Sequence, residues 1–192
     1  MRLFVAAEPS ERVRSSAVAC IHRLRARLEA ARAAEGIRWV AAGNLHLTVW
    51  FLGEVSDQRG TAVLDALRPA LDLSAFDLHL AGFGAFPPSG PPRVLWMGVT
   101  QGLEELARAH DEIGTRLQPW GFAPEGRAYS AHLTVARVKE APHGAARAAL
   151  RQALAHDPGD AGSCRIRALT VFRSRTSAGG AVYERLLRVP LR

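Results

Sequence analysis

Apolar positions along the chain switch between two spacings, and the switches mark out its elements. Leu3 to Ala7 is a short unbroken apolar run, which reads as a buried strand. Pro9-Ser10-Glu11 then opens a helix predicted to reach about Ala34. Val13, Ala17, Cys20, Ile21, Leu24 and Leu28 recur along it at helical spacing, and Gly36 closes it. Ile37 to Val40 is extended. A second helix is predicted from Asp57 to about Leu71, with Val63, Leu64 and Leu67 inward, and a third from Leu103 to Leu117, with Leu103, Leu106, Ile113 and Leu117 on one face. A fourth covers Gly144 to Ala155. Alternating or β-rich runs predict strands at 76–84, 94–99, 164–172 and 181–189. Pro87 to Pro92 makes a rigid crossing between two of them, Pro119 to Arg127 is loop, and Arg173 to Gly180 is an Arg/Ser/Gly loop joining the last pair.

Two further strands carry the same tetrapeptide. Residues 46–49 read His-Leu-Thr-Val, and so do residues 132–135. With ordinary residue usage such a repeat arises by chance in only roughly a few chains per thousand of this length. In a strand, residues two apart share a face. His46 with Thr48 and Trp50, and His132 with Thr134, are therefore expected on one face. Leu45, Leu47, Val49 and Phe51, like Ala131, Leu133 and Val135, are expected to point into apolar packing. Each half of the strand–helix order holds one copy of the motif, so the chain is predicted to be α+β. Two pseudo-symmetric lobes of mostly antiparallel strands, helices outside, would flank a central groove that carries both motifs, with residues 1–192 forming one bilobal domain.

Composition alters this picture little. Hydrophobic residues make up 48%, enough for a real core, and the formal charge is +7, which favours an anionic partner. Lys139 is the sole lysine and the arginines are scattered, which also fits base composition alone. Cys20 and Cys164 have no metal-type spacing and form no disulfide framework, as in a reducing cytoplasm. The N-terminal apolar run is stopped by Glu8 and Pro9, too early for a signal peptide, and no stretch is long enough to span a membrane. The expected setting is cytoplasmic, with no membrane partner.

The paired motif is where chemistry enters. Imidazole can act as acid or base near neutral pH, and two of them can divide the work. Threonine hydroxyls beside each ring supply donors for phosphoryl oxygens. Phosphodiester cleavage needs this set. A zinc site would require a third ligand, and neither motif has a His-x-x-x-His pair or a well-placed carboxylate, so no metal is expected. His22, His79, His110, His143 and His156 lack sequence partners and read as surface.

The segments 44–55 and 131–138 resemble the two signatures of the two-histidine phosphoesterase superfamily, in particular its RNA 2′,3′-cyclic phosphodiesterase branch, also called 2′-5′ RNA ligases. Arg2-Leu3-Phe4-Val5-Ala6, Arg38-Trp39-Val40, Gly84-Ala85-Phe86-Pro87, Arg93-Val94-Leu95-Trp96 and Phe172-Arg173-Ser174-Arg175 extend the resemblance along the chain. It implies a metal-free enzyme that hydrolyses RNA 2′,3′-cyclic phosphate ends to 2′-phosphomonoesters; a monomer without a cofactor is expected. By the same resemblance, His46 is the general acid, His132 the base, and Thr48, Thr134 and Arg137 hold the phosphate. Strict alternation puts Arg137 on the wrong face, so that role requires a bulge. Tyr129 sits where the family has an aromatic residue and is a candidate for base stacking, with edge-strand packing the equal alternative. Small cyclic nucleotides, 2′-5′ ligation and a binding module with little turnover remain as alternatives.

Overall fold

The computed structural model describes residues 1–123, 128–140, 142–177 and 180–192. The elements run β1 (Arg2–Ala7), α1 (Glu11–Ala30), β2 (Ile37–Trp39), β3 (Leu47–Glu54), α2 (Asp57–Leu67), β4 (Phe76–Phe86) and β5 (Val94–Gln101). There follow α3 (Leu103–Leu117), β6 (His132–Val138), α4 (Gly144–His156), β7 (Gly162–Ile166), β8 (Ala168–Ser177) and β9 (Gly180–Pro190). All the named strands belong to one antiparallel sheet in the order β7-β4-β5-β6-β3-β1-β8-β9, and β2 pairs with the far end of β6. The four helices pack outside this curled sheet: α3 on β3, α4 on β4, α1 on α4 and β7, and α2 beside α3.

The sheet passes from one lobe to the other through a single residue pair. β3 and β6 are joined only at Leu47↔Leu133. The reason is local: each strand begins at the motif, and the two run away from each other, so they overlap only there. Strands β3, β1, β8 and β9 form one lobe; β6, β5, β4 and β7, with β2, form the other. The lobes are not the two halves of the chain. Strand β4 precedes β5 but lies in the His132 lobe, α1 packs with that lobe, and β8 and β9 return to complete the His46 lobe.

Several boundaries differ from the pattern. Helix α1 keeps all six expected core residues but ends at Ala30, where Arg32 turns to positive φ (52°). Helix α2 stops at Leu67: Arg68 still has helical backbone angles, but Pro69 has no N–H with which to continue the helical ladder. The predicted strand 164–172 is two strands, β7 and β8, which separate at Arg167 to join opposite lobes. Residues 173–177 and Gly180, predicted as loop, continue β8 and β9 as a hairpin, and 178–179 lie outside the described residues, as do 124–127 of the predicted 119–127 loop. Leu103, expected inward, is 47% exposed at the start of α3.

Candidate active site

Both motif histidines stand at strand entrances and are fixed by the same bond. The Nδ1–H of His46 donates to the Asn44 carbonyl at 2.7 Å, and that of His132 to the Ser130 carbonyl at 2.8 Å. A backbone carbonyl accepts only, so the proton must sit on Nδ1 and each Nε2 is left to do chemistry. At His46 the Nε2 meets the Thr48 hydroxyl at 3.1 Å. Among the described residues, the Nε2 of His132 has no protein partner.

The Leu47↔Leu133 pair also fixes how the motifs face one another. Stepping one residue along antiparallel strands places His46 opposite Thr134, and Thr48 opposite His132. All four project from one face, so each imidazole sits diagonal to the other and beside the other motif's hydroxyl. His46, Thr48, Thr134 and Arg137 line a cavity of about 360 Å³, with Asn44, Tyr183 and Phe51 also in its wall. His132 opens on a neighbouring cavity of about 250 Å³, which shares Thr48 and Phe51 with the first. Neither wall contains a carboxylate among the described residues.

A one-residue bulge at the last position of each motif decides what else enters the cleft. On β6 the partner register shifts so that Trp96 faces Thr134 while Leu95 faces Ala136, leaving Val135 as the extra residue. The shift turns Arg137 onto the His132–Thr134 face. On β3 the register moves from Ala6↔Thr48 to Val5↔Trp50, with Val49 extra. Here the sequence expectation is reversed. Trp50, expected beside His46, is 5% exposed and packs under α3, whereas Phe51, expected in the core, is 44% exposed in the cleft. Phe51 and Arg137 occupy corresponding positions, three residues after their threonines. The guanidinium of Arg2 lies over the Phe51 ring at 5.2 Å.

The surroundings of the two imidazoles differ. His46 stacks on Phe4 at 4.8 Å and meets Tyr183 edge-on at 5.2 Å, with Phe172 behind Phe4 at 5.1 Å. Phe4, Ala6 and Phe172 form a small apolar cluster on the cleft face of β1 and β8, separate from the main core. Reading β1 as simply buried misses this aromatic wall, and Tyr183 with it; the only signal in the sequence is that Arg2, Phe4 and Ala6 share one parity. His132 has one edge-on ring, Phe86 at 5.0 Å.

Burial lowers the pKa of His46, because the imidazolium loses water; the Asn44 carbonyl and the Glu8 carboxylate pull it back up, and Arg137 and His132 push it down. Burial also lowers His132, with the Ser130 carbonyl opposing and Arg137 reinforcing. Glu8 is held by Arg185 at 2.5 Å and by the Thr170 hydroxyl at 2.9 Å.

Tyr129 is already engaged. Its hydroxyl donates to the Thr48 carbonyl at 3.2 Å, and one ring face stacks on His110 at 4.6 Å. His110 is in turn against Trp50 at 4.7 Å, so it is a wall of the second cavity and not the surface histidine expected. His79 is likewise tied down, to Ser163 at 2.8 Å and Asp160 at 3.1 Å.

Comparison with known proteins follows the same lines. Residues 14–178 match the family model of the 2′-5′ RNA ligase superfamily. An RNA 2′,3′-cyclic phosphodiesterase of Aeropyrum pernix is 34% identical over 148 residues, 76% of this chain and 81% of that protein. One from Thermotoga maritima is 34% identical over 143 residues, 74% of this chain and 72% of that one. TT0787 of Thermus thermophilus superposes with a TM-score of 0.77 at 26% identity, covering 100% of this chain and 98% of its own. E. coli LigT complexed with 3′-AMP gives 0.75 at 28%, covering 99% and 97%.

Proposed function

The chain belongs to the 2′-5′ RNA ligase superfamily, and from that premise we propose that it hydrolyses RNA ends carrying a 2′,3′-cyclic phosphate to 2′-phosphomonoesters. One observation carries this reading: two Nδ1-anchored imidazoles sit diagonally across one cleft, each beside the other motif's threonine. In-line displacement at phosphorus needs a base on one side, an acid on the other, and donors between them.

The roles divide as follows. The neutral Nε2 of His132 accepts a proton from water as its oxygen bonds to phosphorus. The P–O3′ bond breaks, and the Nε2–H of protonated His46 gives its proton to the departing 3′ oxygen. Thr48, Thr134 and Arg137 hold the non-bridging oxygens. One water is consumed, and the two rings exchange protonation states and re-equilibrate with solvent. Burial disfavours an imidazolium at both rings, but at His46 the stacked Phe4 ring and the Glu8 carboxylate oppose this. His132 has one edge-on ring and, among the described residues, no carboxylate acting on it, and this difference supports the division. An arriving anionic phosphate further raises the proton affinity of His46. Tyr129 can offer a base only the ring face turned away from His110.

All these groups come from one chain, which supports reading residues 1–192 as one bilobal unit that works as a monomer. Among the described residues no helix is long and apolar enough to cross a membrane, and a cytoplasmic setting suits an RNA-end substrate.

The test is a short oligoribonucleotide ending in 2′,3′-cyclic phosphate, incubated with EDTA, with 2′- and 3′-phosphate products resolved. A 2′-phosphate product that vanishes in His46→Ala and His132→Ala is the expected result. Tight binding with no hydrolysis by the unsubstituted protein would instead make it a binding module.

A further inference from the structure

Hydrolysis at phosphorus leaves open where the rest of an RNA strand lies. The pairing of surface cations answers this. Arg173 and Arg175 both reach Glu184, at 2.5 and 3.3 Å. Those two cations are satisfied from within, and Arg2 on the same lobe, though without an ion pair among the described residues, is engaged over the Phe51 ring.

The cations of the opposite margin are not so engaged. Arg38 on β2 lies directly across from Arg137 on β6. Residues so opposed project side by side with Cβ atoms about 4.5–5.5 Å apart, where like charges destabilise the pair. Both are exposed, and among the described residues neither has a carboxylate within ion-pair distance. Arg137 lines the cleft cavity. Two residues further on in the chain, just past the end of β6, Lys139 lines a hollow of about 550 Å³ together with Arg93 and Arg32, again without an ion pair among the described residues. Glu35 and Glu140 line the same hollow, and they oppose an anionic strand there.

We propose that this margin is the track for the RNA strand on the 5′ side of the cyclic end. Arg137 faces the reacting phosphate, Arg38 takes the phosphodiester before it, and Lys139 with Arg93 takes the next. The two glutamates limit the track to those first few phosphates. The inference rests on the hydrolytic reading, which supplies the end from which the strand departs.

The test compares cytidine 2′,3′-cyclic phosphate with a ten-nucleotide RNA ending in the same group. The unsubstituted protein is expected to prefer the oligonucleotide in kcat/KM, and to lose that preference as salt rises. Combining Arg38→Gln, Arg93→Gln and Lys139→Gln is expected to cut the oligonucleotide-to-mononucleotide ratio roughly tenfold, mainly through KM, and to flatten its salt dependence. Arg173→Gln with Arg175→Gln is expected to leave the ratio within about twofold, in keeping with their pairing. An unchanged ratio in the triple variant, or an equal loss in the double, overturns the track. If neither substrate is hydrolysed by the unsubstituted protein, the hydrolytic reading fails first. Binding of a 3′-phosphorylated ten-nucleotide RNA to the same variants then decides the track on its own.

Discussion

His46 and His132 each open a strand, each donate Nδ1–H to the carbonyl two residues back, and each precede a one-residue bulge. Beyond that shared design they part. His46 is enclosed by Phe4 and Tyr183 and feels the Glu8 carboxylate; His132 has one edge-on ring and an Nε2 with no protein partner among the described residues. At corresponding positions one strand presents the Phe51 ring and the other the Arg137 guanidinium. Identical tetrapeptides thus give unlike half-sites, and the unlikeness lies in the strands packed against them. A symmetric pair could take either role; the proposed division of roles rests on this asymmetry.

The asymmetry can be broken most severely at the rings. His46→Ala and His132→Ala are each expected to lower kcat on the cyclic substrate by roughly 10²–10⁴-fold. A p-nitrophenyl phosphodiester sharpens the contrast, because its leaving group departs without a proton. His46→Ala should lose far less on it than His132→Ala, and equal losses would reverse or abolish the division of roles. Next come the hydroxyls. Thr48→Val and Thr134→Val are expected to cost about 10- to 100-fold in kcat/KM, at or below the usual range for one transition-state donor. The larger loss should fall at Thr48, which also touches His46.

The surroundings have smaller effects. Phe4→Leu removes the ring stacked on His46 and is expected to lower kcat/KM about fivefold at neutral pH, near 1 kcal/mol, against less than twofold for Phe86→Leu. Both imidazoles titrate below the ordinary value near 6.5, as burial dictates. The base fails when protonated, giving the acid limb of kcat/KM, and the acid fails when deprotonated, giving the alkaline limb. Both limbs should therefore lie on the acid side of that value. Glu8→Gln removes a charge that raises His46, so the alkaline limb should move to lower pH by less than about one unit while the acid limb stays. Movement of the acid limb instead would show that Glu8 acts on His132.

The smallest effect on chemistry tests the scaffold. A Cβ at Gly114 on α3 would lie 2.7 Å from the Trp50 ring. Gly114→Ala is expected to cost about 1–3 kcal/mol by overpacking, a fall of roughly 2–4 °C per kcal/mol in a chain this size, with turnover retained at low temperature.

The sequence makes legible what depends on near neighbours. The six core positions of α1 and the full span of α3 follow from helical spacing. The histidines and threonines are visible because a repeated motif is local. Arg137 in the cleft requires a bulge that the pattern can demand but not locate. Phe51 and Trp50 exchange places for the same reason, since an inserted residue inverts every later side chain. The aromatic wall of His46 is hidden because Phe4, Phe172 and Tyr183 come from strands far apart in the chain. The interleaving of the lobes is equally out of reach, because it is set by pairing partners and not by periodicity.

That interleaving gives the molecule an order of completion during synthesis. Every strand of the His132 lobe has been made once residue 166 is present, whereas the His46 lobe lacks two strands until β8 and β9 emerge. Tyr183 and Arg185, which close the wall of His46 and anchor Glu8, are made only after every strand of the His132 lobe. At about 5–20 residues per second, the nascent chain carries the complete surroundings of His132 beside the unfinished wall of His46 for a second or more. A chain stopped short of its final hairpin would remain in that condition.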